Sequence, residues 1–355
     1  MPKFVAEVLS FTCELGRSED SGFQVSYHNI ALQYWLEPAR CIEDGRKFRM
    51  GKMISITTTS HLAGESLPGG LIHTKVYRPP CLKDLVLRPR LTSQLDRDMD
   101  CVLALICAPA GFGKTTLAAS WLSRQERISS WITLDEQDDF HGFLRYLVAA
   151  VDRLFPDSLA ETARFLREDR LPGETRLIST LLNELDAIDT PFILVLDDSH
   201  KLQDPRIWKA IGQLLQYPPR CLHLVMISRT NPPLNLSALR ARGQLTELRM
   251  EDLRFNRAET LEILSGIADY QASDCVLDRL KEHNDGWPVG LRLIGLALRK
   301  AEDREKFIVS ASQYPTLREY LVAEILSKLP YSIKHALLAT SIVDRFCSPL
   351  CRQLC

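Results

Sequence analysis

The residues of this 355-residue chain best suited to chemistry lie in one run: Ala108, Pro109, Ala110, Gly111, Phe112, Gly113, Lys114, Thr115 and Thr116. An apolar stretch, Leu103 to Cys107, precedes it, and apolar residues at helical spacing (Leu117, Trp121 and Leu122) follow it. A strand, a glycine turn and a helix that opens with lysine form the context in which backbone N–H groups cradle phosphate oxygens. Gly111 and Gly113 allow backbone conformations closed to residues with a Cβ. The Lys114 ammonium is placed to reach β- and γ-phosphates, and the Thr115 hydroxyl to ligate Mg²⁺. Ala108 stands where the general pattern G-x-x-x-x-G-K-[ST] has glycine, so the structural context carries the reading more than the bare motif does. An ordinary strand-to-helix turn would leave Lys114 unexplained, because the positive end of the helix dipole disfavours a cation there.

Two other runs bring charge to the same place. From Phe192 the chain reads FILVLDD, five apolar residues ended by Asp197 and Asp198. A strand with no polar face is buried on both sides, so its carboxylates emerge at the carboxyl edge of a parallel sheet, where ligands of open α/β sheets bind. There Asp197 would hold Mg²⁺ through water and Asp198 would orient or polarise an attacking water; the alternative is a helix N-cap. Cys221 to Ser228 is a third all-apolar strand, and Arg229 at its end either reaches a γ-phosphate, distinguishing ATP from ADP, or forms a structural salt bridge.

The elements that must position these groups follow from the hydrophobic pattern. A helix is expected over Thr92–Met99, and a strand over Ser130–Leu134 that ends in the acidic turn Asp135–Asp139. Helices are expected over Phe143–Phe155 and Leu177–Leu185, and a half-exposed last strand over Leu245–Arg249. Asn256 caps a helix through Ala268, and further helices span Val276–Asn284, Val289–Leu298, Leu317–Leu329 and Ile333–Thr340. The expected fold is α/β: a P-loop NTPase with a central, mostly parallel sheet flanked by helices, followed by an all-helical, winged-helix region. The expected organisation is an unassigned extension and linker over 1–70, an ATPase domain over 71–255, a helical domain over 256–312 and the start of a winged-helix region over 313–355. The stretch Thr57–Gly70 has linker composition, and Met50 and Met53 just before it are candidate biological starts.

Composition bounds the function classes. Apolar residues make up 45% and charged ones 25%, as in globular proteins, and Lys+Arg 44 against Asp+Glu 45 leaves a formal charge of -1, which gives no support for a nucleic-acid or membrane surface. No apolar run reaches the roughly 18 to 20 residues of a membrane span, and the N-terminus lacks a leader pattern, so a cytoplasmic protein with no membrane partner is expected. Ten scattered cysteines read as reduced thiols, with Cys347, Cys351 and Cys355 as a packed helix face.

At this point the residues match a known pattern. The chain resembles the N-terminal ATPase portion of MalT-like, LuxR-family regulators, a branch of the signal-transduction ATPases with numerous domains. The resemblance runs from about Leu71 to Cys355. It rests on Thr74-Lys75, the LRPRL run from Leu87 to Leu91, the glycine loop, WITLDE from Trp131 to Glu136, VLDD from Val195 to Asp198, Ser228-Arg229, LRARGQL from Leu239 to Leu245, DLRF from Asp252 to Phe255, GWPVGL from Gly286 to Leu291 and SIVDR from Ser341 to Arg345. Alanine at the first loop position is usual in that family. The resemblance implies a nucleotide switch, closed with ADP and opened by inducer plus ATP to self-associate and activate transcription. It implies that Pro288 packs near the adenine, and that hydrolysis is slow because Asp198 is shorter than the glutamate of faster relatives. It also implies that inducer and DNA act through a helical-repeat sensor and a helix-turn-helix, which family members carry after the point where this sequence stops. A stand-alone P-loop enzyme, such as a small-molecule kinase or motor ATPase, is the alternative, and a protein-binding adaptor a third.

Overall fold

In the computed structural model of the chain, the described residues are essentially 70–81, 85–168 and 172–299, with a few isolated positions elsewhere. The helices expected over Leu317–Leu329 and Ile333–Thr340 and the Cys347, Cys351, Cys355 stripe lie outside them. The chain forms two compact units, Met1–Ser18 with Gly70–Lys328 and Glu19–Gly69 with Leu329–Cys355. In the second, Val25–Ser26 pairs antiparallel with Arg345–Phe346.

The first unit is built on a parallel sheet of β1 (Leu103–Cys107), β2 (Ile128–Thr133), β3 (Phe192–Asp197), β4 (Leu222–Ser228) and β5 (Leu245–Leu248), in the order β2-β3-β4-β1-β5. Every residue of β1, β3 and β4 is buried, which is why these strands read as unbroken apolar runs. Edge strand β5 alternates half-buried and buried residues, as expected of a strand with one covered face. Register aligns the carboxyl ends: Cys107 lies opposite Ser228, and Thr133 opposite Asp197. Residues that follow β1, β3 and β4 therefore leave the sheet along one edge.

Helices cover both faces. On one, α1 (Pro89–Arg97) and α2 (Lys114–Leu122) bury Leu91, Leu95, Leu117 and Trp121 against Ala104, Ile106, Val195 and Val225, and Trp287 joins the same core. On the other, α3 (Phe140–Asp152), α5 (Glu174–Asp186) and α6 (Pro205–Gln216) set Phe143, Leu147, Ile178, Leu181 and Ile211 against Leu194, Leu196 and Leu224. Short α4 (Ala160–Phe165), α7 (Leu236–Ala241) and α8 (Met250–Leu253) fill the connections. After the sheet, α9 (Arg257–Ala268), α10 (Asp274–Asn284) and α11 (Pro288–Leu298) form a second core around Leu264, Leu280, Leu291 and Leu298.

Boundaries differ from the expectation where a cap decides them. The first helix starts at Pro89 rather than Thr92, because proline at the first helical position is already set to helical φ. The helix expected from Phe143 starts at Phe140, since Asp139 takes the N-cap and accepts from the Gly142 amide at 2.7 Å. Four helices, α4 and α6 to α8, were not expected; α6 follows Asp204-Pro205, a cap and first-turn proline that do signal a start.

Two buried ionic clusters tie the segment before α1 to the rest. Lys75 bridges Asp135 at 3.0 Å and Asp138 at 2.5 Å, fixing the acidic turn after β2. Arg88 and Arg90 reach Glu259 at 3.3 and 3.1 Å, while Glu259 also closes a capping box with Asn256 at the start of α9. Burial alone would raise the Glu259 pKa; hydrogen bonds from Arg90 and the Asn256 amide, with the Arg88 charge, hold it below the usual glutamate value.

Removing Glu259 leaves the Arg88 charge buried, with about 6% of its side chain exposed and no carboxylate beside it. Glu259→Ala should therefore destabilise the chain by about 3–5 kcal/mol in denaturant unfolding; a change under about 1 kcal/mol would show that the pair is not under strain of desolvation. Because the folded-state pKa lies below the unfolded one, this contribution is present above the unfolded value and is lost as pH falls through the folded value, so in the wild type it should erode on the acid side of the ordinary glutamate range.

Candidate functional site

The segment from Ala108 to Gly113 turns out of β1 at the carboxyl edge and enters α2 at Lys114. Gly111 and Gly113 have φ of 80° and 72°, in the left-handed region where residues with a Cβ are strained. At Gly111 there is a second constraint, since a Cβ would sit 2.7 Å from the Trp287 indole nitrogen. Around Gly113 there is space, so conformation alone selects glycine there.

Three of the loop's carbonyls, those of Pro109, Ala110 and Gly111, are taken. Lys114 Nζ donates to the Pro109 carbonyl at 2.9 Å, the Trp287 indole N–H to that of Ala110 at 3.2 Å and the Val289 amide to that of Gly111 at 3.1 Å. Ala108 is anchored through its own amide to the Ser228 carbonyl at 3.3 Å, and Phe112 is buried in the core. None of the amides from Ala110 to Thr116 donates to another described residue. They form a run of N–H groups at the positive end of a nine-residue helix, which is an anion-binding arrangement. Pro288, the first residue of α11, is buried between the two residues that contact the loop.

The charged groups converge on this loop. Lys114 is 8% exposed; burial first, then the Arg229 charge, lowers its pKa to about 8 against the pull of Asp198 and Asp197. Thr115 Oγ1 is 3.2 Å from Asp197 Oδ1, so a hydroxyl and a carboxylate from two elements meet at one point. Burial and the neighbouring Asp198 raise the Asp197 pKa to about 6. Two hard oxygen donors side by side beside the amide run suit Mg²⁺, which needs few protein ligands when phosphate oxygens and waters complete its shell. Thr116 is half-buried in the same first turn, and Arg229, half-buried at the end of β4, acts electrostatically on Lys114 and Asp198. Among the described residues Arg229 forms no ion pair.

Asp198 has φ of 58° and ψ of 32°, and its side chain makes no capping hydrogen bond to the short turn that follows. It folds back onto that turn instead: Lys201 Nζ lies 2.6 Å from Oδ2 and His200 Nδ1 3.9 Å from Oδ1. Burial would raise the Asp198 pKa, but the Lys201 hydrogen bond and charge, with His200 and Arg229, hold it below the usual carboxylate range. Burial, with the charges of Arg229, Lys114 and Lys201, pushes His200 down to about 4 despite Asp198, so the imidazole is neutral near pH 7. His200 and Lys201 were not singled out from sequence. Their signal was position alone: polar residues three and four places after a buried strand's terminal carboxylate, Asp197, emerge at the same edge.

With this geometry in view, similarity to known proteins is informative. The chain is 33% identical over 278 residues to the HTH-type transcriptional regulator MalT of Yersinia enterocolitica, a match covering 77% of this chain and 31% of that protein. It is 32% identical over the same length to the MalT of Yersinia pestis. This chain is similar to MalT. It spans about a third of the length of these relatives. No family model matches it. Among solved structures, a signal transduction ATPase with numerous domains and a tetratricopeptide repeat sensor from Pyrococcus horikoshii is 16% identical, with a TM-score of 0.48 over 75% of this chain and 39% of that one. A Walker-type ATPase of Pyrococcus abyssi is 13% identical, with a TM-score of 0.45 over 77% of this chain and 89% of that one.

Gly111→Ala should destabilise the chain by about 1–3 kcal/mol, because it adds both backbone strain and a steric conflict with Trp287. In a Trp287→Ala background the cost should shrink, leaving the backbone part. Equal costs in both backgrounds, measured by denaturant unfolding as a double-mutant cycle, would show that the indole does not constrain this position.

Proposed function

We propose that the chain is the ATP- and ADP-binding module of a MalT-like regulator, a switch with slow hydrolysis. The observation that carries this reading is the amide run from Ala110 to Thr116, unpaired among the described residues and flanked by a buried lysine and two carboxylates. A phosphate chain is an anion whose charge suits a run of N–H groups at a helix N-terminus.

In this reading the loop amides of Ala110 to Thr116 bind the phosphates, with Ala108, Pro109 and Phe112 holding the loop's shape. Lys114 sits beside the β- and γ-phosphates, and phosphate charge there restores the proton affinity that burial has reduced. Thr115 would hold Mg²⁺ directly and Asp197 through water, and the ion when bound would neutralise phosphate charge. Asp198 orients the attacking water as the catalytic carboxylate, and Arg229 faces the γ-phosphate. Pro288 packs beside the base, so that the helical layer carrying Trp287 and Val289 senses what the loop holds. The MalT relatives are named as HTH-type transcriptional regulators, and on that similarity we assign this chain a role in transcription regulation in the cytoplasm. Self-association would accompany the ATP state, and inducer and DNA would act through segments beyond those matched here. The corresponding division is an ATPase domain over 71–255, a helical domain over 256–312 and a winged-helix region from 313.

Lys114→Ala should abolish ATP and ADP binding in equilibrium titration while the circular dichroism spectrum and melting temperature stay close to wild type. Arg229→Ala should weaken ATP roughly tenfold to a hundredfold more than ADP, the worth of one charge-assisted hydrogen bond. Unchanged affinities in the first variant would overturn the phosphate-loop assignment, and equal losses for both nucleotides in the second would make Arg229 a structural residue.

A further inference from the structure

The turn after β3 holds a feature that the switch reading does not use. Lys201 is three residues past Asp198 on the 3-10 turn Ser199–Lys201, and its ammonium lies 2.6 Å from Asp198 Oδ2. About 31% of the Lys201 side chain and 28% of that of Asp198 remain exposed, so the pair sits at the rim of the site. The backbone enforces the contact. With Asp198 in the left-handed region and the Lys201 amide donating to the Asp198 carbonyl at 2.9 Å, the turn brings the lysine stem back over its own first residue. The opposite carboxylate oxygen faces neutral His200, so Lys201 is the cation in direct contact with this carboxylate among the described residues.

We propose that Lys201 is a built-in brake on hydrolysis, a positioning residue whose ammonium competes with the attacking water for the carboxylate of Asp198. This rests on the reading of Asp198 as the group that receives the water. In hydrolysis the water oxygen bonds to the γ-phosphorus, the bond from that phosphorus to the β–γ bridging oxygen breaks, ADP leaves with the electron pair, and Asp198 takes the water's proton and later returns it to solvent. A carboxylate oxygen held by an ammonium must first give up a charge-assisted hydrogen bond to accept that proton. The brake thus acts on the chemical step and not on nucleotide binding, because Lys201 contacts neither the loop nor Lys114 in any hydrogen bond or ion pair among the described residues.

The test uses the full chain with ATP and Mg²⁺. Lys201→Met should raise kcat by about tenfold, the worth of a charge-assisted hydrogen bond after partial screening by solvent, with KM and ADP affinity unchanged. Lys201→Arg, which keeps a cation within reach, should return slow turnover, and Lys201→Gln should behave as Met does. Independently of activity, amine acylation read by mass spectrometry on the protein without added nucleotide should label Lys201 several-fold faster in Asp198→Asn than in wild type. A Lys201→Met chain that binds ATP normally but turns over at the wild-type rate, or a Lys201 equally reactive in Asp198→Asn and wild type, would overturn the brake and leave the nucleotide reading standing. Failure of the wild-type chain to bind ATP at all would overturn both.

Discussion

The arrangement depends on how the glycine loop divides its backbone groups. Each peptide is planar, so fixing a carbonyl fixes the direction of the following N–H. The carbonyls of Pro109, Ala110 and Gly111 are held by Lys114, Trp287 and Val289, which come from two different parts of the unit. With these carbonyls occupied, the amides of Ala110, Gly111 and Phe112 are aimed, and the start of α2 directs those that follow. A loop that had to reorganise on meeting phosphate would spend part of the binding free energy on ordering itself. Two of the three carbonyl partners belong to the helical layer, so the loop's shape and the position of α11 are one structural variable. In the proposed switch that linkage is the physical basis: a change in what the loop holds would be felt at Trp287, and displacement of α11 would loosen the loop.

Burial sets the electrostatics of the same edge. It lowers Lys114 to about 8 and raises Asp197 to about 6, both toward neutrality. Asp198 moves the other way because Lys201 sits against it, and His200 is kept neutral beside it. Two adjacent carboxylates therefore have different properties although the sequence writes them as a pair. Asp197 is enclosed, faces Thr115 and suits a cation; Asp198 is at the rim in an ion pair. The ionic anchors further out have a different task. Lys75 with Asp135 and Asp138, and Arg88 and Arg90 with Glu259, hold the incoming segment against the acidic turn and the first helix of the helical layer.

What was legible in the sequence followed from burial. Strands β1, β3 and β4 are enclosed on both faces, so their composition alone located them and the edge at which their final residues emerge. The glycine loop was legible because positive φ at two positions leaves few alternatives to glycine. The helix from Asn256 was legible because a capping box needs particular residues at fixed spacing. Strand order was not, since β3 and β4 lie between β1 and β2 through long-range packing that no local pattern records. The Trp287 contact with Gly111 joins residues 176 positions apart, and the Lys201 contact with Asp198 depends on a left-handed aspartate that composition does not announce.

The most direct test of the central claim is calorimetric titration of ADP, with Mg²⁺, into the full chain. A preorganised phosphate loop predicts saturable binding at one site per chain, in competition with ATP. Absence of binding at millimolar ADP, in a chain shown to be folded, would contradict it.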